Sequence, residues 1–78
     1  MQDCYIEARR VAAPLVREGE QVLADQVIEA LEGGSTATEI LMGLRFRLQE
    51  ALNAGRTGRE TTTGQVRSLL RALSEALA

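Results

Sequence analysis

Residues 35–53 read STATEILMGLRFRLQEALN and contain the best-delimited helix that this sequence predicts. Thr36 and Glu39 have the spacing of a capping box at its start, and Asn53 with Gly55 supplies the stop signal. At about 100° per residue, one apolar stripe faces a core, and it comprises Ala37, Ile40, Leu41, Leu44, Leu48, Ala51 and Leu52. We therefore expect this stretch to form the central helix of the fold.

Met42 and Phe46 lie on the opposite side of the same helix, one turn apart. Phe46 is the only phenylalanine in the chain, and a simple amphipathic helix would turn both positions toward water. Three explanations are open: the first helical region covers this side, a second protein covers it, or the pair is simply exposed. Met42 and Phe46 are the first candidates for contact with a partner protein or a second copy of the chain.

The N-terminal region, residues 3–32, carries helical periodicity with a disturbance in its middle. Asp3 is a candidate cap, and apolar residues recur at helical spacing from Cys4 to Leu15 and again from Leu23 to Leu31. Pro14 removes a backbone hydrogen bond, and Gly19 offers a break. The region is predicted to be kinked or broken near Pro14 to Gly19, as one bent helix or as two.

The C-terminal region is predicted to be a loop followed by a helix. Residues 54–61 contain two glycines and two arginines, which are typical of an exposed loop. Thr62 and Gln65 have the spacing of a second capping box, and the apolar stripe that follows consists of Val66, Leu69, Leu70, Leu73 and Leu77. Because no strand pattern occurs, the prediction is a single all-α domain over residues 1–78, a small bundle of three helical regions counted as three or four helices.

Composition argues against catalysis. The chain has no histidine and one cysteine, Cys4, which excludes a histidine-activated nucleophile and a multi-cysteine metal site. The acidic residues fall on polar helix faces, where nothing separates their pKa values for acid–base chemistry. We expect a non-catalytic protein without metal or cofactor. The sequence also lacks the 18 or so consecutive apolar residues of a membrane span and the pattern of a signal peptide, so we expect a cytoplasmic location.

The charges are divided between the two halves of the chain. Residues 1–39 hold eight acidic and three basic side chains, whereas residues 40–78 hold three acidic and six basic ones. The halves are electrostatically complementary, which favours packing on each other or pairing between subunits.

Two resemblances suggest other functions. Residues 24–52 resemble the helix-turn-helix of bacterial DNA-binding regulators, with Arg45, Arg47, Arg56 and Arg59 downstream, although the net charge of −2 opposes nucleic-acid binding. The run Gly33-Gly34-Ser35-Thr36 resembles the phosphopantetheine site of carrier proteins. In the peptidyl-carrier spacing, Thr36 rather than Ser35 would occupy the attachment position. A glycine helix end followed by a Ser/Thr helix start also explains these four residues.

A further resemblance covers residues 16–52. Gly19-Glu20, then Leu23-Ala24, a glycine turn and a helix that begins Thr-Ala-Thr-Glu are similar to small all-helical immunity proteins of bacterial toxin systems. These proteins bind a cognate toxin, often through acidic surface residues. The resemblance implies a bacterial protein whose candidate partner-binding residues are Glu18, Glu20, Asp25, Glu29 and Glu32.

From the sequence we therefore expect a non-catalytic helical protein-interaction module, either of the immunity type or a homodimeric adaptor. The alternative is a DNA-binding regulator of the helix-turn-helix kind.

Overall fold

The computed structural model describes residues 4–78, which form helices α1 (Cys4–Arg17), α2 (Gln21–Gly33), α3 (Ala37–Asn53) and α4 (Glu60–Leu77). The predicted all-α fold is confirmed, and no strand occurs within these residues. The proposed cap Asp3 lies outside them. Over the same range, none of the helices combines the length and the apolar character needed to cross a bilayer.

The four helices pack in a ring around one core. α1 packs on α2, α2 on α3, α3 on α4, and α4 returns to α1. Short connections between neighbouring helices give an up-and-down bundle. The buried apolar residues come from all four predicted stripes, and they are Ala8, Val11, Ala12, Leu15, Leu23, Ala24, Val27, Leu44, Leu48, Ala51, Val66, Leu69, Leu70 and Leu73.

The N-terminal region consists of two helices, and a glycine separates them. Pro14 lies inside α1, which continues to Arg17. Gly19 then adopts a φ of 83°, and its N–H donates to the carbonyl of Val16 at 3.1 Å while the N–H of Glu20 donates to that of Leu15 at 2.8 Å. These two bonds form a Schellman motif, which ends α1 and satisfies its last carbonyls.

The same motif ends α3. Gly55 has a φ of 70°, and its N–H donates to the carbonyl of Leu52 at 3.1 Å, while the N–H of Arg56 donates to that of Ala51 at 2.8 Å. The predicted stop signal is thus confirmed. Because the helices alternate in direction, the α1–α2 turn and the α3–α4 loop lie at the same end of the bundle.

The start of α3 differs from the predicted capping box in one detail. The Thr36 hydroxyl accepts the N–H of Glu39 at 3.1 Å, as expected. The Glu39 carboxylate, however, accepts the N–H of Ser35 at 3.1 Å, one residue before the cap. Gly34 is required just upstream, because a Cβ there would lie only 3.1 Å from the backbone nitrogen of Ile40. Ala37, assigned to the core stripe from the sequence, is exposed in the first turn.

The predictions for the start of α4 are wrong. The helix begins at Glu60 with Arg59 at its N-cap position, so Thr62 lies inside the first turn and caps nothing. The preceding loop is also not fully exposed, since Thr57 is buried and its hydroxyl shares a 2.8 Å hydrogen bond with that of Thr63. Glu18 caps the helix instead, because its carboxylate accepts the Arg59 N–H and the Thr62 hydroxyl. Glu18 is distant in the sequence, so a pattern of neighbouring residues could not predict this cap.

Candidate functional site

The outer face of α3 carries the most exposed aromatic side chain among the described residues. Phe46 is 60% exposed and Met42 is 52% exposed. Leu44 and Leu48, on the opposite side of α3, are fully buried and hold the helix against the core. The explanation that the first helical region covers Met42 and Phe46 is therefore wrong, because α1 and α2 leave this face open.

These two side chains lie in an open groove of about 680 Å³ that runs along α3 and is bordered by α4. We call it the α3 groove, and it is lined by Met42, Arg45, Phe46, Gln49, Glu50, Asn53 and Ser74. Met42 and Phe46 supply its apolar side chains, and the other lining residues are polar or charged. Protein–protein interfaces likewise combine apolar anchors with polar side chains around them.

Contacts along α3 organise the side chains next to Phe46. The Arg47 guanidinium lies 5.6 Å from the centroid of the Phe46 ring, within range of a cation–π interaction. Arg47 also approaches the Glu50 carboxylate at 3.9 Å, and the Gln49 side-chain amide donates to the side-chain Oδ1 of Asn53 at 3.1 Å. These exposed contacts contribute little to stability, but they orient the side chains around Phe46.

Glu18 and Glu20, both predicted to bind a partner, contact the chain's own α3–α4 loop region. The Glu18 carboxylate accepts hydrogen bonds from the backbone N–H of Arg59 and from the Thr62 hydroxyl. Gly58 makes room for it, because a Cβ at that position would lie 2.6 Å from the Glu18 oxygen. Glu20 lies 3.8 Å from the Arg56 guanidinium. Charges from the two halves of the chain thus meet within one subunit.

The hydrogen bonds at Glu18 favour its ionised form. The Thr62 hydroxyl and then the Arg59 N–H lower the pKa of the Glu18 carboxyl below its ordinary value. The guanidinium groups of Arg59 and Arg17 act in the same direction, and partial removal from water opposes them. The ionised carboxylate also lies at the N-terminus of α4, where a negative charge is stabilising.

We expect Glu18→Gln to reduce the loss in the free energy of unfolding that the wild-type protein shows as the pH is lowered. A lowered pKa in the folded state means that Glu18 contributes stability above its unfolded-state pKa, about 4.3, and loses it as the pH falls through the folded-state value. Urea unfolding followed by circular dichroism between about pH 6 and 2 measures this contribution. Asp25→Asn, on an exposed carboxylate of α2, is the control. An equal reduction by both substitutions would contradict the special role of Glu18.

The other predicted acidic residues form a separate surface on α2. Asp25, Glu29 and Glu32 are exposed, and Asp25 accepts a hydrogen bond from Gln21 at 2.8 Å. Within the described part of the chain, none of the three belongs to an ion pair, and none lines the α3 groove. The structure therefore splits the predicted partner-binding residues into the α3 groove, the exposed acids of α2, and the Glu18–Glu20 pair at the turns.

Sequence reasoning missed a second groove, which lies between α1 and α4. It measures about 580 Å³, and three arginines line it: Arg10, Arg17 and Arg59. Their charge is partly neutralised, because Arg10 pairs with Glu7 at 3.0 Å and the Glu18 carboxylate lies among the lining groups. In this groove the Glu18 carboxylate already accepts hydrogen bonds from the Arg59 N–H and the Thr62 hydroxyl. The contacts in this groove therefore hold the bundle together.

Several residues behind the other functional hypotheses make contacts within the chain. Of the arginines in the helix-turn-helix hypothesis, Arg47 contacts Phe46 and Glu50, and Arg56 contacts Glu20. The Thr36 hydroxyl of the carrier-protein hypothesis accepts the capping hydrogen bond of α3. Across residues 4–78, no group of three or more metal-ligating side chains comes together.

Comparison of the chain with family models, with curated proteins and with solved structures finds no match.

Proposed function

We propose that this protein is a non-catalytic helical interaction module that binds a protein partner through the α3 groove. The observation that supports the proposal is the exposure of Phe46 and Met42, one helical turn apart, in that groove. Burying a Phe or Met side chain contributes about 1.5–3 kcal/mol, and aromatic side chains set in a pocket are typical anchors of an interface.

The surroundings of the pair favour a protein ligand over a small molecule. The groove is open and shallowly bordered by a single serine from α4, whereas small-molecule sites enclose most of their ligand. Long charged side chains, Arg45 and Glu50, flank Met42 and Phe46 on the two sides of this face of α3. An open surface with this composition suits a second helix laid along α3.

The acidic surface of α2 supports a second candidate, a partner of basic character as in immunity proteins of bacterial toxin systems. α2 has three acidic side chains and no basic one, so it presents a uniform negative field. Asp25, Glu29 and Glu32 would steer a basic protein toward this side and raise its rate of association. This candidate places the contact on α2 and leaves the α3 groove free.

Site-specific photocrosslinking in the producing cell tests the proposal. We expect a benzophenone amino acid in place of Gln49, inside the α3 groove, to form a protein adduct, because the position lies one turn from Phe46. The same substitution at Ser68, exposed on α4 and outside the groove, is the matched control. An adduct formed from position 29 but not from position 49 would move the partner to the acidic surface of α2. No adduct from position 49 would overturn the proposed use of the groove.

A further inference from the structure

We propose that the partner seated in the α3 groove is a second copy of this chain, with the two α3 helices packed side by side in parallel. This inference rests on the proposed function, since it names the occupant of the same groove. Three features of the exposed face of α3 support it. They are the spacing of the groove residues, the placement of two opposite charges, and an asparagine at the end of the row of groove residues, which we call the seam.

The groove residues follow a coiled-coil register. Met42, Phe46, Gln49 and Asn53 are separated by four, three and four positions, which is the spacing of alternating d and a positions in a heptad. All four are exposed and all four line the groove. The preceding a position is Glu39, whose carboxylate is bonded to the N–H of Ser35 at the start of α3. The seam therefore begins at Met42.

Arg45 and Glu50 distinguish between the two orientations of such a pair. In this register Arg45 occupies a g position and Glu50 the following e position, one on each side of the seam. In a parallel pair, the g residue of one helix lies beside the following e residue of the other helix. Arg45 of each copy therefore lies beside Glu50 of the other copy, which gives two such contacts across the two-fold axis. In an antiparallel pair, g positions lie beside g positions and e positions beside e positions, which would place Arg45 on the side of the other Arg45 and Glu50 on the side of the other Glu50. Charge complementarity therefore favours the parallel arrangement.

Arg45 is available for this contact. Among the ion pairs within residues 4–78, Arg45 appears in none, and Glu50 has only the 3.9 Å approach of Arg47 on an exposed surface. An Arg45–Glu50 pair between two chains would thus replace the weak Arg47–Glu50 contact within one chain.

Asn53 supports the same register. An asparagine at an a position aligns two parallel helices, because its amide pairs with the same group on the partner and would be left unpaired in a shifted alignment. The Asn53 side-chain oxygen already accepts the Gln49 amide within the chain, and its second lone pair remains for this contact. The apolar part of the seam is short, consisting of the Met42 and Phe46 layers. The expected dimer therefore dissociates on dilution.

Charge reversal with rescue tests the proposal. We expect wild-type protein to show twice the subunit mass by light scattering at high concentration. Arg45→Glu and Glu50→Arg should each raise the dissociation constant about tenfold, because each turns two attractive contacts into repulsive ones. Mixing the two variants in equal amounts should restore association, since both contacts across the axis of the mixed dimer again join opposite charges. Failure of the mixture to recover would overturn the parallel register.

Disulfide trapping reports the orientation separately. In a Cys4→Ser background, Gln49→Cys places one thiol on each side of the axis of a parallel pair, and oxidised glutathione should link them into a covalent dimer. Ser68→Cys in the same background is the control and should not be linked. A chain that stays monomeric at every concentration, yet forms an adduct with another protein from position 49, would overturn the second-copy inference and leave the proposed function in place. A monomer with no adduct would overturn both.

Discussion

Replacing Phe46 with alanine is expected to weaken association about a hundredfold while leaving the subunit folded. Phe46 is 60% exposed in the subunit, so its removal takes little from the core. In the proposed complex Phe46 is the aromatic anchor of the groove, and truncation of such an anchor costs about 2–4 kcal/mol. A loss of about 2.7 kcal/mol corresponds to the stated factor. The dissociation constant from light scattering across a concentration series measures the effect.

Val16→Ala is the matched control for this experiment. Val16 is also a large exposed side chain, but it lies on α1, which packs on α2 and α4 and has no part in the α3 groove. Circular dichroism should show unchanged helicity for both variants. If Phe46→Ala lost its helical signal, or if Val16→Ala weakened association equally, the α3 groove would not be the interface.

Leu48→Ala should have the largest effect on stability, a loss of about 3 kcal/mol in the free energy of unfolding. Leu48 is fully buried on the core side of α3, and its truncation leaves a cavity between helices that are held apart by their other side chains. A domain of this length has a total stability of about 4–12 kcal/mol, so the variant loses a large share of it. Urea unfolding at a fixed protein concentration measures the change.

Thr38→Ala, on the same helix, is the control for Leu48→Ala. Its side chain is exposed and lies outside the α3 groove, and substitutions at such surface positions usually change stability by less than about 0.5 kcal/mol. The pair therefore compares the two faces of one helix. Similar losses from both substitutions would contradict the placement of the core on the Leu44 and Leu48 side.

The fold was largely predictable because helical periodicity is a local signal. The stripes containing Leu23, Leu48 and Leu73 each fall on one side of a helix, and the structure buries all three side chains. The position of Met42 and Phe46 opposite the α3 stripe was equally readable. Their exposure in the folded chain was not, because it depends on how α1 and α2 are placed in space, and no local pattern carries that information.

The role of Glu18 was not predictable for the same reason. On the turn that follows α1, its neighbours in sequence suggest a solvated acidic side chain near other acidic ones. In the fold it caps α4, a helix whose start the sequence pattern placed at Thr62 rather than at Glu60. A cap supplied by a residue 41 positions away leaves no signature in the four-residue window of a capping box.

The Glu18 contact also sets an order on the folding of the chain. The α2–α3 connection is short and closes through contacts between near neighbours, such as the hydrogen bond from the Glu39 N–H to Thr36. The contacts of Glu18 with Arg59 and Thr62 span 41 and 44 positions, so they form only after a long loop has been closed, at a cost in chain entropy. The hairpins of sequence neighbours, α1–α2, α2–α3 and α3–α4, are thus positioned to form before the docking of α4 onto α1 that completes the ring.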